Sequence, residues 1–376
     1  MIPFNKPYLT GKEAHYLYQA VYSEHLSGNG AFTQKCHHFF EERYGFGKCL
    51  LTTSCSDALE MAALLCEVQS GDEVIMPSYT FVSTANAFIL RGAKVIFVDS
   101  RPDHPGINEE AIEALINKKT KVIVPVHYAG VACDMDKIMA LANKYELLVV
   151  EDAAQAIDSF YTGKDGVKRP LGSIGHLATF SFHETKNITC GEGGMLVINE
   201  ERFQARAEII WEKGTNRSAF FRGEVDKYGW IDVGSSYLPS EISAAFLWAQ
   251  LENIDVIQQQ RTALWKAYYE GLCRWAKESR GQLPVIPDYA TNNAHMFYLV
   301  CHSPEQRTQL LKHLKENGVQ AVFHYLSLHK SAFYREKHDG RILTQSDRYT
   351  DCLLRLPMYF ELDAMPVISE LISKAN

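Results

Sequence analysis

In the run Phe180-Ser181-Phe182-His183-Glu184-Thr185-Lys186-Asn187, followed by Gly191-Glu192-Gly193-Gly194, an apolar strand delivers a single amine into a polar turn. A lysine so placed can form an imine with a carbonyl ligand, and glycines beyond it let the backbone pass a flat ligand without Cβ clashes. A solvated loop lysine beside an ordinary turn explains the same letters, so Lys186 needs partners before it carries chemistry. One candidate stands at the end of Leu147-Leu148-Val149-Val150-Glu151-Asp152-Ala153-Ala154-Gln155. This run reads as a parallel strand presenting an acid at its carboxyl end, where ligands of open α/β sheets bind. Side chains alternate along a strand, so Asp152 faces the ligand and Glu151 points away as a structural group. A buried carboxylate needs a cation. The protonated pyridine nitrogen of pyridoxal 5'-phosphate is such a cation, and the pairing makes that ring an electron sink. An N-cap on the following helix is the alternative for Asp152.

A third piece could seat a phosphate. In Leu50-Leu51-Thr52-Thr53-Ser54-Cys55-Ser56-Asp57-Ala58-Leu59-Glu60-Met61 a short apolar strand turns through hydroxyl residues into a helix. Free N–H groups and hydroxyls at a helix start bind anions. Ser56 is the principal contact, with Asp57 turned away because a carboxylate repels phosphate; a plain serine N-cap is the alternative.

Taken with Pro77-Ser78-Tyr79-Thr80-Phe81 and Arg355-Leu356-Pro357, these segments resemble the sugar aminotransferases of the DegT/DnrJ/EryC1/StrS family over essentially the whole chain. The resemblance implies the aspartate aminotransferase fold (fold type I): an α/β architecture with a large, mainly parallel sheet domain and a small C-terminal α+β domain. It implies pyridoxal 5'-phosphate as cofactor, Lys186 as its covalent anchor and proton carrier, and Asp152 as the partner of the pyridine nitrogen. Phe81 would stack on the ring, Gln155 would lie near its 3-hydroxyl, and Ser56 and Ser181 would hold the phosphate. Ser236, in Gly234-Ser235-Ser236-Tyr237, stands where the family usually places an asparagine reaching in from a partner subunit, so that contact is shorter. Also implied are a homodimer with shared sites, L-glutamate as amino donor, and a nucleotide-linked ketosugar as acceptor, serving surface polysaccharide synthesis. Asn5 and Lys6, in Phe4-Asn5-Lys6-Pro7, resemble the strand that lies beside substrate in the family. Dehydratases of the same family replace the imine lysine with histidine, which Lys186 argues against; a non-catalytic sensor holding the same cofactor stays open.

Composition bounds the rest. At 376 residues the chain is too long for one ordinary core. A formal charge of -7 makes no electrostatic case for nucleic acid. No charged-then-apolar amino-terminal signal and no bilayer-spanning apolar stretch is present, so a cytoplasmic protein with no membrane partner is expected. Nine cysteines are scattered without a Cys-x-x-Cys pair, which argues against a metal site and for reduced thiols. Cys55 and Cys190 flank the expected cofactor, and Cys55 is counted among its contacts.

Apolar runs at 74–76, 95–98, 122–126, 147–150, 178–182 and 195–198 alternate with helical patterns, as in a mainly parallel sheet covered by helices. One long helix is expected from Ser240 to Trp275, dividing the chain into a cofactor domain, 1–249, and a small domain, 250–376. The charged, glycine-containing stretch 162–170 reads as a surface hairpin. The polar stretch 213–230 offers Asn216, Arg217, Arg222, Lys227 and Tyr228 to a nucleotide diphosphate, or is a solvated interface loop. His324, Tyr325 and His329 could face the sugar or pack; His127, His183 and Asn187 lie nearer the strand ends and the lysine, and join the substrate candidates.

Overall fold

A computed structural model describes residues 1–375. Twelve strands form in chain order: β1 Cys49–Thr52, β2 Glu73–Pro77, β3 Lys94–Val98, β4 Thr120–Ile123, β5 Leu148–Asp152, β6 Phe160–Thr162, β7 Lys168–Pro170, β8 Leu177–Ser181, β9 Gly194–Ile198, β10 Tyr298–Val300, β11 Val322–Phe323 and β12 Leu353–Arg355. Seven of them make one sheet in the order β1-β9-β8-β5-β4-β2-β3. Neighbours pair in parallel except at β9, which runs antiparallel to both β1 and β8. The central strands are apolar on both sides because both faces are covered. Ile75, Ile123, Val149 and Phe180 join Phe40 and Leu247 in one core. Val74, Val122, Val150 and Leu196 meet Leu59 and Phe88 in the other.

The remaining strands are small additions. The expected hairpin is β6 paired with β7, closed by Gly166 at φ +76°. Strands β10, β12 and β11 form a C-terminal antiparallel sheet. The single helix expected from Ser240 is two: Glu241–Leu251, capped by Ser240, and Ile254–Ser279. The second helix belongs to two cores. Ile254 and Ile257 pack under the large sheet, whereas Leu264, Tyr268, Leu272 and Trp275 pack against the C-terminal sheet. Among the described residues no helix is long and apolar enough to cross a membrane, and no cluster of metal-ligating side chains forms. All nine cysteines are free.

Strand alternation separates the two carboxylates of β5. Glu151 faces the helix Ala31–Tyr44 side, fully buried, and accepts backbone N–H bonds from Gly172 (2.9 Å), Ile174 (2.8 Å) and Gly175 (2.5 Å) and a ring N–H bond from His127 Nε2 (2.9 Å). Burial alone would raise its pKa, but the His127 bond and the backbone donors hold it below the ordinary carboxylate value. A group depressed in the folded state contributes stability above its unfolded pKa and loses it as pH falls through the folded one. Glu151→Ala strands these donors in the core, so urea unfolding is expected to show a loss of about 3 kcal/mol near neutral pH. That difference from wild type should shrink as pH drops below the ordinary carboxylate range; a difference independent of pH would contradict the depressed pKa.

Candidate active site

The carboxyl ends of β2, β4, β5 and β8 open on one edge of the sheet, and a cavity of about 660 Å³ lies there. The C-terminal sheet closes its far side with Phe323, His324, Tyr325 and Arg355. Of the residues expected from sequence, Cys55, Ser56, Phe81, Asp152, Gln155, Ser181, His183, Lys186, His324 and Tyr325 line this one space.

Lys186 is carried by the connection from β8 to β9. Those strands are antiparallel neighbours, and their ladder continues past the strand ends: Phe182 N–H donates to the Gly193 carbonyl and Glu184 N–H to the Gly191 carbonyl, both at 2.8 Å. The lysine turn closes with its own N–H on the His183 carbonyl at 2.9 Å. Burial lowers the Lys186 pKa to about 8; the nearby Arg355 cation pushes the same way, against Cys55 and Asp152. The glycines serve different purposes. Gly191 takes φ +83° at the turn, and Gly193 borders the cavity. At Gly194 a Cβ would lie 2.4 Å from the Cys55 nitrogen, so this glycine admits the helix start at Ser54 and not the ligand itself.

Asp152 is buried on the cavity side of β5. Its Oδ2 accepts from Thr84 Oγ1 (2.7 Å) and its Oδ1 from Ala154 N–H (3.2 Å), and among the described residues no salt bridge meets it. Burial raises its pKa, opposed by those bonds and by the Lys186 charge. It is therefore a carboxylate still short of a cation. Beside it, Gln155 accepts from Ala129 N–H (2.6 Å) and donates to the Tyr325 hydroxyl (2.9 Å), which fixes the direction of its amide. Ala129 holds φ +58° to make this contact, an unusual conformation for a residue with a side chain.

The helix Cys55–Leu65 starts at the cavity, with Ser54 as its N-cap accepting from Asp57 N–H at 3.1 Å. The first two N–H groups, of Cys55 and Ser56, find no carbonyl partner among the described residues. Ser56 Oγ donates to Ser83 Oγ at 2.7 Å, and Asp57 turns back to the Thr53 hydroxyl, away from the cavity. Burial pushes the Cys55 thiol up to about 12, so it is a neutral wall group. Phe81 stands at the mouth with 54% of its surface exposed, its ring centroid 5.9 Å from that of Tyr325.

Several expected substrate residues lie elsewhere. His127 is fully buried on the opposite face, bound to Glu151 and accepting from Cys133 N–H at 3.3 Å. His329 is buried against Ser78 Oγ (2.7 Å), and Asn187 turns away from the cavity to Gln258, Asn293 and His295. Lys6 pairs with Glu361 on the surface, whereas Asn5 reaches the Glu184 carbonyl at 3.2 Å, on the outer side of the lysine turn. Asn216, Arg217, Lys227, Tyr228 and the exposed Ser236 do not line the cavity of their own chain. Residues 217–221 form a short helix beside a separate hollow of about 700 Å³ at the β1 edge, where Arg217 covers the Phe221 ring at 5.1 Å and Asn216 accepts from Gly229 N–H.

Two residues were not anticipated. Arg355, at the end of β12, lines the cavity with its Nε buried and unpartnered; no carboxylate meets the guanidinium among the described residues, and the Phe4 ring lies against it at 4.8 Å. Burial lowers its pKa, opposed by Tyr128, Tyr325 and Tyr79. The available signal was a lone cation in the apolar run Leu353-Leu354-Arg355-Leu356. His295 also lines the cavity, buried, within the segment joining the two cores.

The donor set fits pyridoxal 5'-phosphate. Lys186 can anchor an aldehyde, Asp152 lacks the cation that a pyridine nitrogen would supply, and the helix start at Cys55 and Ser56, with Ser181, offers N–H and hydroxyl donors to a phosphate.

Comparison with known proteins agrees. Residues 7–371 match the DegT/DnrJ/EryC1/StrS aminotransferase family. An uncharacterized protein of Methanocaldococcus jannaschii, MJ1066, is 32% identical over 314 residues, which cover 82% of this chain and 79% of the relative. The putative sugar aminotransferase Spr1654 of Streptococcus pneumoniae, in its PMP form, superposes with a TM-score of 0.90 at 23% identity, covering 100% of this chain and 99% of that one. DesV of S. venezuelae gives a TM-score of 0.88 at 26% identity, covering 100% and 98%.

The depressed Lys186 pKa has a direct readout. In the cofactor-free protein, alkylation of Lys186 followed by mass spectrometry is expected to rise with pH around a midpoint near 8. Surface lysines should rise around about 10.4. A Lys186 midpoint coinciding with theirs would contradict the buried setting.

Proposed function

The chain belongs to the DegT/DnrJ/EryC1/StrS aminotransferase family, whose members depend on pyridoxal phosphate, and on that premise we propose that it transfers the amino group of L-glutamate to a nucleotide-linked 4-ketosugar. The observation that carries this is the meeting of a low-pKa lysine, a buried acid without a cation and an unpaired arginine in one cavity. The finer assignment rests on sequence. The stretches at 1–7, 73–86, 124–133, 213–218 and 294–298 resemble the enterobacterial dTDP-4-amino-4,6-dideoxygalactose transaminase. They suggest dTDP-4-keto-6-deoxyglucose as acceptor and the galactose-configured 4-amino-4,6-dideoxy sugar as product, for surface polysaccharide synthesis.

When bound, the cofactor supplies an electron sink for the charge that develops as the donor α-carbon loses its proton. Lys186 would hold the cofactor covalently, and with its pKa lowered to about 8 a fraction of its free amine is unprotonated near neutral pH and able to take that proton. Asp152 would keep the ring nitrogen protonated, and Thr84 and Ala154 hold its carboxylate in place. Ser56, Ser181 and the helix start would take the phosphate, Phe81 would cover the ring, and Gln155 would stand by its 3-hydroxyl. Arg355 receives the donor carboxylate, because a buried, unpaired guanidinium is satisfied by a planar anion.

The active form is a homodimer with each site completed by the partner. The segment 213–236 does not reach its own cavity, yet it exposes Phe221, Tyr228, Trp230, Ile231 and Val233 together with Arg217 and Lys227. Laid across a partner, it covers apolar surface and brings Ser236 to the phosphate and Arg217, Lys227 and Asn216 to the nucleotide. The division of each chain into 1–249 and 250–376 is supported by the separate core of the C-terminal sheet, which Leu264, Tyr268, Leu272 and Trp275 of the second helix share.

Spectral conversion of the loaded enzyme by glutamate, followed by NMR of the product formed from the dTDP-ketosugar, tests the reaction and its C4 configuration. Arg355→Met is expected to lower kcat/KM of the glutamate half-reaction about 10- to 100-fold. Arg355→Lys should recover little of it, since a point charge does not reproduce a bidentate fork. Unchanged glutamate kinetics would remove the carboxylate role. For shared sites, Lys186→Ala chains mixed with chains carrying Arg217→Ala and Ser236→Ala should regain activity, because one site of each mixed dimer then carries neither lesion. No recovery after proven subunit exchange would contradict the shared site.

A further inference from the structure

Asn293, Ala294 and His295 join the two cores at the back of the cavity. Asn293 donates to the carbonyls of Gln155 and Ile157, both at 2.8 Å, and its Oδ1 accepts from His295 N–H at 3.0 Å. Ala294, fully buried, takes φ +53°. Arg261, from the long helix, donates to the Ala294 (3.1 Å) and His295 (2.6 Å) carbonyls. The backbone of His295 is thus engaged through both its N–H and its carbonyl.

The tautomer of the ring follows from its neighbour. His295 Nδ1 lies 2.9 Å from Asn187 Oδ1. The other terminal atom of that amide lies 2.8 Å from the Asn293 carbonyl oxygen and 2.8 Å from Gln258 Oε1. A carbonyl oxygen only accepts, so the atom facing it is the NH₂ group, and the Asn187 oxygen faces the imidazole. That oxygen also only accepts, which places a hydrogen on Nδ1. Burial, reinforced by the Lys186 and Arg355 charges, holds the His295 pKa well below its ordinary value and the ring neutral. Nε2 therefore keeps its lone pair. With Nδ1, N–H and carbonyl all engaged, Nε2 is the one polar atom of His295 left to face the cavity that the residue lines; no described residue donates to it, and it is not among the fully enclosed unpartnered polar atoms.

We propose that His295 is a specificity-determining residue whose Nε2 accepts a hydrogen bond from a hydroxyl on the sugar ring of the acceptor. This rests on the ketosugar reading given above. A bare lone pair repels carboxylate and phosphate oxygens, whose places are Arg355 and the helix start at Cys55. The neutral donors that the sugar ring of a nucleotide-linked ketosugar brings into this space are its hydroxyls. A sugar lacking the matching hydroxyl leaves a buried acceptor unpaired, so the group reads the presence of a donor as well as filling volume.

Two substitutions separate this role from a structural one. His295→Asn keeps a side-chain N–H for Asn187 and removes the distal acceptor, whereas His295→Gln restores an acceptor near the Nε2 position and gives up the bond to Asn187. In the holoenzyme the two half-reactions are read separately, glutamate by its spectral conversion and dTDP-4-keto-6-deoxyglucose by its reversal. His295→Asn is expected to lower kcat/KM of the sugar half-reaction about tenfold while changing the glutamate half-reaction by less than about twofold, and His295→Gln to recover most of the loss. The opposite order, with Asn spared and Gln impaired, or an equal fall in both half-reactions, would overturn the proposal in favour of a packing role or contact with the donor. If wild-type enzyme converts with glutamate but not with the dTDP-ketosugar, the acceptor reading fails and this assignment with it. Nitrogen-15 NMR of the His295 ring is independent of any substrate: hydrogen on Nδ1 with a bare Nε2 supports the proposal, and the reverse tautomer overturns it.

Discussion

Two adjacent carboxylates, Glu151 and Asp152, end a buried strand, and each must be met by donors on its own side of the sheet. Much of the site follows from how this is solved. Glu151 collects three backbone N–H groups of the 172–175 turn and the His127 ring, fixing the loop between β7 and β8 beneath the sheet. Among the described residues Asp152 receives only Thr84 and the Ala154 N–H. The structural acid is saturated with donors and the chemical one is left wanting, a contrast that follows from the two-residue period of a strand.

A second set of contacts holds the C-terminal sheet in register with that strand end. Asn293 reaches the Gln155 and Ile157 carbonyls, Asn187 beside the lysine reaches Gln258 on the long helix, and Gln155 reaches Tyr325. Amide side chains suit such a junction because each both donates and accepts, so one residue can tie loops from different units without introducing a charge. Arg355 and His324 enter the cavity as part of the same junction, and the acid, the lysine and the arginine are brought together by hydrogen bonds that touch none of the reacting atoms.

Local signals make the cofactor half of the site legible from sequence. Lys186, Asp152, Gln155 and the Ser54–Ser56 turn each end an apolar run, and the position of a strand end is written in the run before it. The alternating strands and the hairpin at 162–170 are readable for the same reason. His127 departs from expectation because nearness to a strand end does not say which face a side chain takes. Val122 and Val124 face one core and Ile123 the other, so counting by two along β4 and beyond sends Val126 to the cavity and His127 to the back. The same count separates Glu151 from Asp152. Asn187 and His329 are unreadable for a different reason: their partners, Gln258 and Asn293 for one and Ser78 for the other, lie at least 71 residues away in sequence. The break at Glu252-Asn253 is equally hidden, since apolar residues continue on both sides of it and neither proline nor glycine marks the site.

The antiparallel course of β9 has a consequence for how this chain can vary. Because β8 and β9 are adjacent and bonded from Leu177↔Ile198 to Ser181↔Gly194, the segment that carries the lysine is anchored at both ends by one ladder. Substitutions within it leave the anchors where they are, but an added or deleted residue must slip the ladder or bulge the loop, and either displaces the amine from Asp152. The neighbouring hairpin carries no such constraint, for at its Gly166 tip an added Cβ would meet nothing within 4 Å. Over evolutionary time the two connections should therefore record different histories: insertions and deletions accumulating at 163–167, and a fixed length with changing letters at 182–193.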